Sequence, residues 1–273
     1  MAIEARPEAG AVSADSLTGC RIFAVALEKG GVAKTTTCAT LGHALATRGR
    51  RVLLVDVDPQ HNLTSYVGDP RATITLADVL RKPDLLRSAI TASSAGSADI
   101  LNGSRDTALV SDEIKMQSKA PSIQLRRMLR QVTDHYDYVF IDCARTIDIM
   151  SINALAAATD VIAPIDGEPM AVAGLGQIRQ SLLELAEAEV ISASAPPRIR
   201  VLLTKYDSKP KATQETIAYV REEVDVAFYE SVIRYSRHVI GTFAIHTTVI
   251  NAAPKSSVAQ DYIALAEEID RGR

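Results

Sequence analysis

Short apolar runs recur along the chain at Arg21–Leu27, Arg51–Val57, Tyr136–Ile141, Asp160–Ile165 and Arg198–Leu203, each bounded by polar or turn residues. Several are almost continuously apolar, as strands buried on both faces of a parallel sheet are. Between them the spacing predicts helices, among them Thr36–Thr47 and Gly174–Ala188. Near the C-terminus Val258, Tyr262, Leu265 and Ile269 recur at intervals of 4, 3 and 4, a helical stripe facing a core. Strands alternating with helices predict an α/β fold, a doubly wound, mostly parallel sheet with helices on both faces. Residues 1–19, rich in Ala, Glu, Ser and Gly, read as a flexible tail, and 20–273 as a single domain. The stretch Arg81–Ala120 is richer in Ser, Ala and Lys and yields no clear elements.

Composition narrows the class. The 273 residues carry a net charge of −3 and are 47% hydrophobic, enough for a substantial core and too little charged for a disordered chain. No apolar stretch approaches the ~18–20 residues that cross a bilayer. The first twenty residues lack the basic start and apolar run of a secretory signal. Cys20, Cys38 and Cys143 are too few and too scattered for a disulfide framework, and no CxxC pair marks zinc. A reducing, cytoplasmic setting is expected. Charge is uneven: residues 198–257 hold nine Lys and Arg against six Asp and Glu, a local balance of +3 within an acidic chain. That asymmetry hints at a basic face.

In doubly wound sheets, ligands sit beyond the carboxyl ends of the strands. The unusual polar residues gather there: Lys29–Thr36 after the first run, Asp56 and Asp58 at the end of the second, Asp142 at the end of the third. Pro164–Glu168 and Thr204–Asp207 follow the fourth and fifth. Glu28–Thr36, between strand and helix, has the makings of a phosphate loop, whose backbone N–H groups and helix N-terminus surround phosphate oxygens. Lys34 stands where a loop lysine contacts the β and γ phosphates, and Thr35 where a hydroxyl binds Mg2+. The strict pattern GxxxxGK[ST] is not met, since Glu28 and Ala33 occupy its two glycine positions.

The segments KGGVAKTTT, VLLVDVDPQHNLT, FIDCAR and INALAAATDVIAPIDGEPMAVAGL together resemble the ParA/MinD family of deviant Walker ATPases, most closely its ParA/Soj-type partition proteins. The similarity runs from about Arg21 to Ile269. It implies ATP and Mg2+ as cofactors and a homodimer with two nucleotides sandwiched between subunits. Lys29 matches the signature lysine that reaches across such a dimer, and Lys34 the loop lysine. Thr35 matches the Mg2+ ligand, with Gly30, Gly31, Val32, Ala33 and Thr36 completing the phosphate cradle. Asp58 matches the acidic residue needed for hydrolysis, Asp56 lies beside it, and Asp142 matches the Walker B aspartate that holds Mg2+ through water. The resemblance further implies nonspecific nucleoid DNA binding on the dimer surface, with Lys205, Lys209, Lys211, Arg234, Arg237 and Lys255 as candidates. It also implies a ParB-like or cargo-adaptor partner that stimulates hydrolysis. The cargo could be a chromosome, a plasmid or a protein assembly. Membrane targeting is not expected, because Val258–Arg273 carries four acids and two arginines instead of a basic amphipathic face.

The departures set up a second reading. Ala33 replaces a family glycine, Ala144 and Arg145 replace two prolines after the Walker B aspartate, and Ile240 stands where a basic residue is usual. A slowly or non-hydrolysing ATP-binding switch or scaffold, with little DNA binding, is the alternative. Arg145 reads as a solvated loop residue, with a phosphate or DNA contact as the other possibility. Thr204–Asp207 is similar to the guanine-reading [NT]KxD motif, but the partition family carries the same stretch without guanine specificity. Cys143 lacks the second cysteine that the related nitrogenase iron protein uses for its cluster.

Overall fold

The computed structural model describes residues 19–96, 98–168, 170–207, 211–223 and 226–272. The five apolar runs form the middle of an eight-stranded sheet. Its strands are β1 (Arg21–Val25), β2 (Val52–Asp56), β3 (Ile90–Ala92), β4 (Asp99–Leu101), β5 (Tyr138–Asp142), β6 (Asp160–Ile165), β7 (Arg198–Leu203) and β8 (Ala227–Phe228). They lie in the order β3-β4-β2-β5-β1-β6-β7-β8, every neighbouring pair parallel except β3 with β4. The helices are α1 (Lys34–Thr47), α2 (Asn62–Val67), α3 (Leu76–Arg81), α4 (Leu86–Ala89), α5 (Asp106–Gln117) and α6 (Gln124–Leu129), then α7 (Ile149–Ala157), α8 (Met170–Glu187), α9 (Lys211–Glu223), α10 (His238–Ala244), α11 (Val249–Ala252) and α12 (Ser257–Arg271).

Alternation along β1 explains why the central strands read as unbroken apolar runs. Ile22 and Ala24 point into one core with residues of α7 and α8, while Phe23 and Val25 point into the other with α1 and α12. Both faces are buried, so neither set of positions tolerates polar residues. The C-terminal stripe behaves as its spacing predicts: Val258, Tyr262, Leu265 and Ile269 are all buried in the second core. At the amino ends of the strands, buried Asp160 on β6 pairs with Arg21 of β1 and Arg198 of β7, pinning three strands together. The tail expected over residues 1–19 lies outside the described residues except for Gly19.

The stretch Arg81–Ala120 does contain structure. β3 and β4 are three residues each and form the antiparallel edge of the sheet, and α5 follows. Strands this short carry too few positions for an alternation to register.

Candidate nucleotide site

β1 ends in the middle of the sheet, between β5 and β6, and the chain turns from it into α1. Two residues of that turn are left-handed: Gly31 at φ 76° and Ala33 at φ 69°, ψ 28°. Such turns direct successive N–H groups inward, and the free N–H groups at the start of α1 add the positive end of its dipole. A glycine adopts this geometry freely, whereas at Ala33 it costs about 1–2 kcal/mol. The backbone therefore does require positive φ where the usual glycine is missing. Across the loop, the Thr204 hydroxyl donates to Val32 O at 3.0 Å and fixes the turn to the end of β7.

Lys34 is buried, and its ammonium donates to Leu27 O at 3.0 Å and Lys29 O at 2.6 Å, carbonyls of the loop itself. Burial pulls its pKa below the usual value, against the pull of the Asp142 charge. Thr35 donates its hydroxyl to Asp142 Oδ2 at 2.7 Å, while Asp142 Oδ1 is buried with no partner. Burial raises the Asp142 pKa well above the carboxylate range, and the charge of Asp56 raises it further. An orphaned buried carboxylate oxygen beside a hydroxyl is a hard-oxygen donor set of the kind that holds Mg2+, directly or through water.

The two other carboxylates divide. Asp58 lines the cleft, and its Oδ1 accepts from Gln60 N at 2.9 Å. Asp56, opposite Asp142 in the β2–β5 register, is fully buried and does not line the cleft. It accepts from Thr64 N at 2.8 Å, Thr64 Oγ1 at 2.7 Å and Asp58 N at 3.2 Å, so it shapes the loop that carries Asp58. Burial pushes its pKa up to about 7, with the Thr64 hydrogen bonds opposing.

Lys29 also lies off the cleft wall. Its ammonium donates to Asp166 Oδ1 at 2.6 Å and Glu168 Oε2 at 2.7 Å, in the segment after β6. Burial works against that charge, but these hydrogen bonds outweigh it and hold the pKa above the usual value. The polarity of Pro164–Glu168 marked this segment in the sequence, although its partner could not be read there.

The cleft measures about 780 Å³, the size of pocket a nucleotide fills. The phosphate loop lines it together with Val258 and Tyr262 of α12. Ile233, Tyr235, Ile240 and Phe243, on and before α10, add an apolar part to its wall. Sequence reasoning missed this wall, because it read the segment for basic residues; its apolar spacing was the available signal.

The DNA candidates scatter. Lys205 lines the cleft above the phosphate loop, and Arg234 is tied to Asp261 through its backbone N–H and its guanidinium, Nε to Oδ2 at 3.0 Å. Arg237 and Lys255 are exposed. Lys209 lies outside the described residues, and Lys211 is placed only as the first residue of α9. Among the described residues no helix is long and apolar enough to cross a membrane.

Comparison with known proteins agrees with this geometry. The family described as an AAA domain matches residues 20–192. The chromosome partitioning protein ParA of Caulobacter vibrioides is 32% identical over 256 residues, 91% of this chain and 93% of that one. The sporulation initiation inhibitor protein Soj of Bacillus subtilis is 31% identical over 251 residues, 91% of this chain and 98% of that one. A crystal structure described as cobyrinic acid a,c-diamide synthase of Mycobacterium smegmatis, with bound ATP analogue and magnesium, has a TM-score of 0.78 at 30% identity. It covers 93% of this chain and 97% of that chain. Loop, strand-end carboxylates and relatives converge on one assignment: the chain belongs to the ParA/MinD family of deviant Walker ATPases, with ParA and Soj among its relatives.

Proposed function

We propose that this protein binds Mg2+–ATP in the cleft, pairs with a second copy across it, and hydrolyses ATP slowly as a partition-type ATPase. In this reading it is a cytoplasmic, nucleoid-associated protein that positions a cargo, released when a ParB-like or adaptor protein stimulates hydrolysis. The observation that carries the nucleotide reading is the Thr35–Asp142 pair with its unsatisfied carboxylate oxygen, set beside buried Lys34 at the start of α1.

Phosphoryl transfer asks a protein mainly for positioning and charge neutralisation. Lys34 would exchange the carbonyls of Leu27 and Lys29 for phosphate oxygens, which opens the loop around the nucleotide. Thr35 and Asp142 would hold Mg2+, which neutralises charge on the β and γ phosphates. Asp58, on the cleft wall, would orient the attacking water. Lys29 would leave Asp166 and Glu168 to reach a partner subunit's phosphates, so dimerisation competes with that intrachain ion pair.

The alternative, a switch with little DNA binding, draws support from two observations: Arg234 is already paired with Asp261, and Ile240 of α10 is apolar and 68% exposed. Calorimetry on wild type and Lys34→Ala tests the nucleotide site. The variant should bind ATP at least about tenfold more weakly, the worth of one charge-assisted hydrogen bond. Equal affinity would count against the assignment. ATPase rates with and without DNA then separate a carrier from a switch.

A further inference from the structure

Two cations overhang the phosphate loop with no hydrogen bond or ion pair among the described residues: Arg145, three residues past Asp142, and Lys205, two residues past the end of β7. The other cations near the loop are engaged, Lys34 by carbonyls, Lys29 by Asp166 and Glu168, and Arg234 by Asp261. A Cβ built on Gly30 would lie 3.9 Å from Arg145 Cδ, and one built on Gly31 would lie 4.0 Å from Lys205 Nζ. Both side chains therefore lie close to the loop glycines and line the same cleft. They do so from opposite flanks, since β5 lies on one side of β1 and β7 beyond β6 on the other. Lys205 is also held at φ 50°, a left-handed conformation that non-glycine residues adopt at a cost, and such residues cluster at ligand clamps.

We propose that Arg145 contacts the γ-phosphate of ATP within its own subunit, and that Lys205 contacts the phosphates that ATP and ADP share. The side of approach decides between the phosphates. Thr35 and Asp142 would hold Mg2+ beside the terminal phosphates, and Arg145 leaves the strand end that carries Asp142. A guanidinium matches the paired oxygens of a terminal phosphate, and among the described residues Arg145 is the unengaged cation of the cleft on the β5 side. Lys205, on the far flank above Gly31, is placed for the phosphates nearer the nucleoside.

The inference rests on the Mg2+–ATP reading, and one calorimetric series keeps the two apart. Wild type, Arg145→Ala, Arg145→Lys and Lys205→Ala are titrated with ADP and with a non-hydrolysable ATP analogue, each with Mg2+. Arg145→Ala should lose about tenfold or more in affinity for the analogue and less than twofold for ADP, with Arg145→Lys in between. Lys205→Ala should lose comparably for both nucleotides. Both side chains are exposed, so the variants should fold, and unchanged melting curves without nucleotide check this. Wild-type binding with an unchanged Arg145→Ala, or a loss equal for both nucleotides, overturns the inference alone. Failure of wild type to bind either nucleotide overturns the site assignment together with it.

Discussion

Ala33 holds the left-handed turn of the phosphate loop at φ 69° with a Cβ that glycine would lack. Ala33→Gly removes a strain of about 1–2 kcal/mol but returns about 0.4–1 kcal/mol of freedom to the unfolded chain. The net expectation is a gain between zero and about 1.6 kcal/mol, which raises the melting temperature by roughly 2–4 °C per kcal/mol gained in a chain of this size. A lower melting temperature would mean that the strain is absorbed elsewhere. Asp56 makes a second prediction. A carboxyl whose folded pKa is raised binds its proton more tightly folded than unfolded. Its contribution is therefore fully present below the ordinary 3.8 and disappears as pH rises through about 7. Nucleotide-free protein should lose stability from pH 5 to pH 8, by roughly 2–3 kcal/mol from this group, and Asp56→Asn should flatten that slope. A wild-type pH profile identical to that of the variant would show that Asp56 is ionised throughout. Lys34, Thr35 and Asp142 were legible in the sequence because one short motif and one strand end carry them. The partners of Lys29 were not, since Asp166 lies 137 positions away and nothing local marks the pair.

At the scale of elements, legibility followed burial. The strands β1, β2, β5 and β6 announced themselves because both faces are packed, β7 because its second half is buried, and α12 because its stripe faces a core throughout. The edge hairpin β3–β4 did not, nor did α10, whose seven residues carry Ile240 and Phe243 toward the cleft and solvent and bury little. The same difference in burial ranks substitutions within α12. Leu265 is fully buried against the sheet, so Leu265→Ala should cost about 2–5 kcal/mol through poorer packing and the cavity left behind. Ser256, which caps α12 by accepting from Ala259 N, should cost only about 0.5–2 kcal/mol when replaced by Ala. Urea unfolding of both variants measures the pair. A cap substitution costing more than the core one would mean that α12 is held by its start and not by its stripe.

For the whole molecule, the question is how much of the +3 balance over residues 198–257 survives folding. Arg198 pairs with Asp160, Arg200 with Glu268, and Arg234 with Asp261, all three acids lying outside that stretch. Much of the apparent basic face is therefore neutralised by carboxylates that a linear count assigns elsewhere. Arg237 and Lys255 stay exposed, and exposed Ile240 of α10 carries no charge. If the proposed ATP-bound dimer binds DNA, that binding should accordingly be weak and independent of sequence, because it would draw on few phosphates and on avidity between two subunits. It should also fall with salt, as the release of counterions requires. Arg237→Ala should reduce the slope of log affinity against log salt by about one unit, the share of a single phosphate-bound cation. Arg234→Ala should leave that slope nearly unchanged, because its guanidinium is already engaged by Asp261. Ile240→Arg should strengthen binding by restoring a cation on the exposed face of α10. The measurement is the mobility shift of unrelated DNA fragments at low and moderate salt, with ATP, with ADP and without nucleotide. Binding that ignores nucleotide, or none at low salt even for Ile240→Arg, would remove DNA from the function and leave the ATP-dependent switch as the reading of this fold.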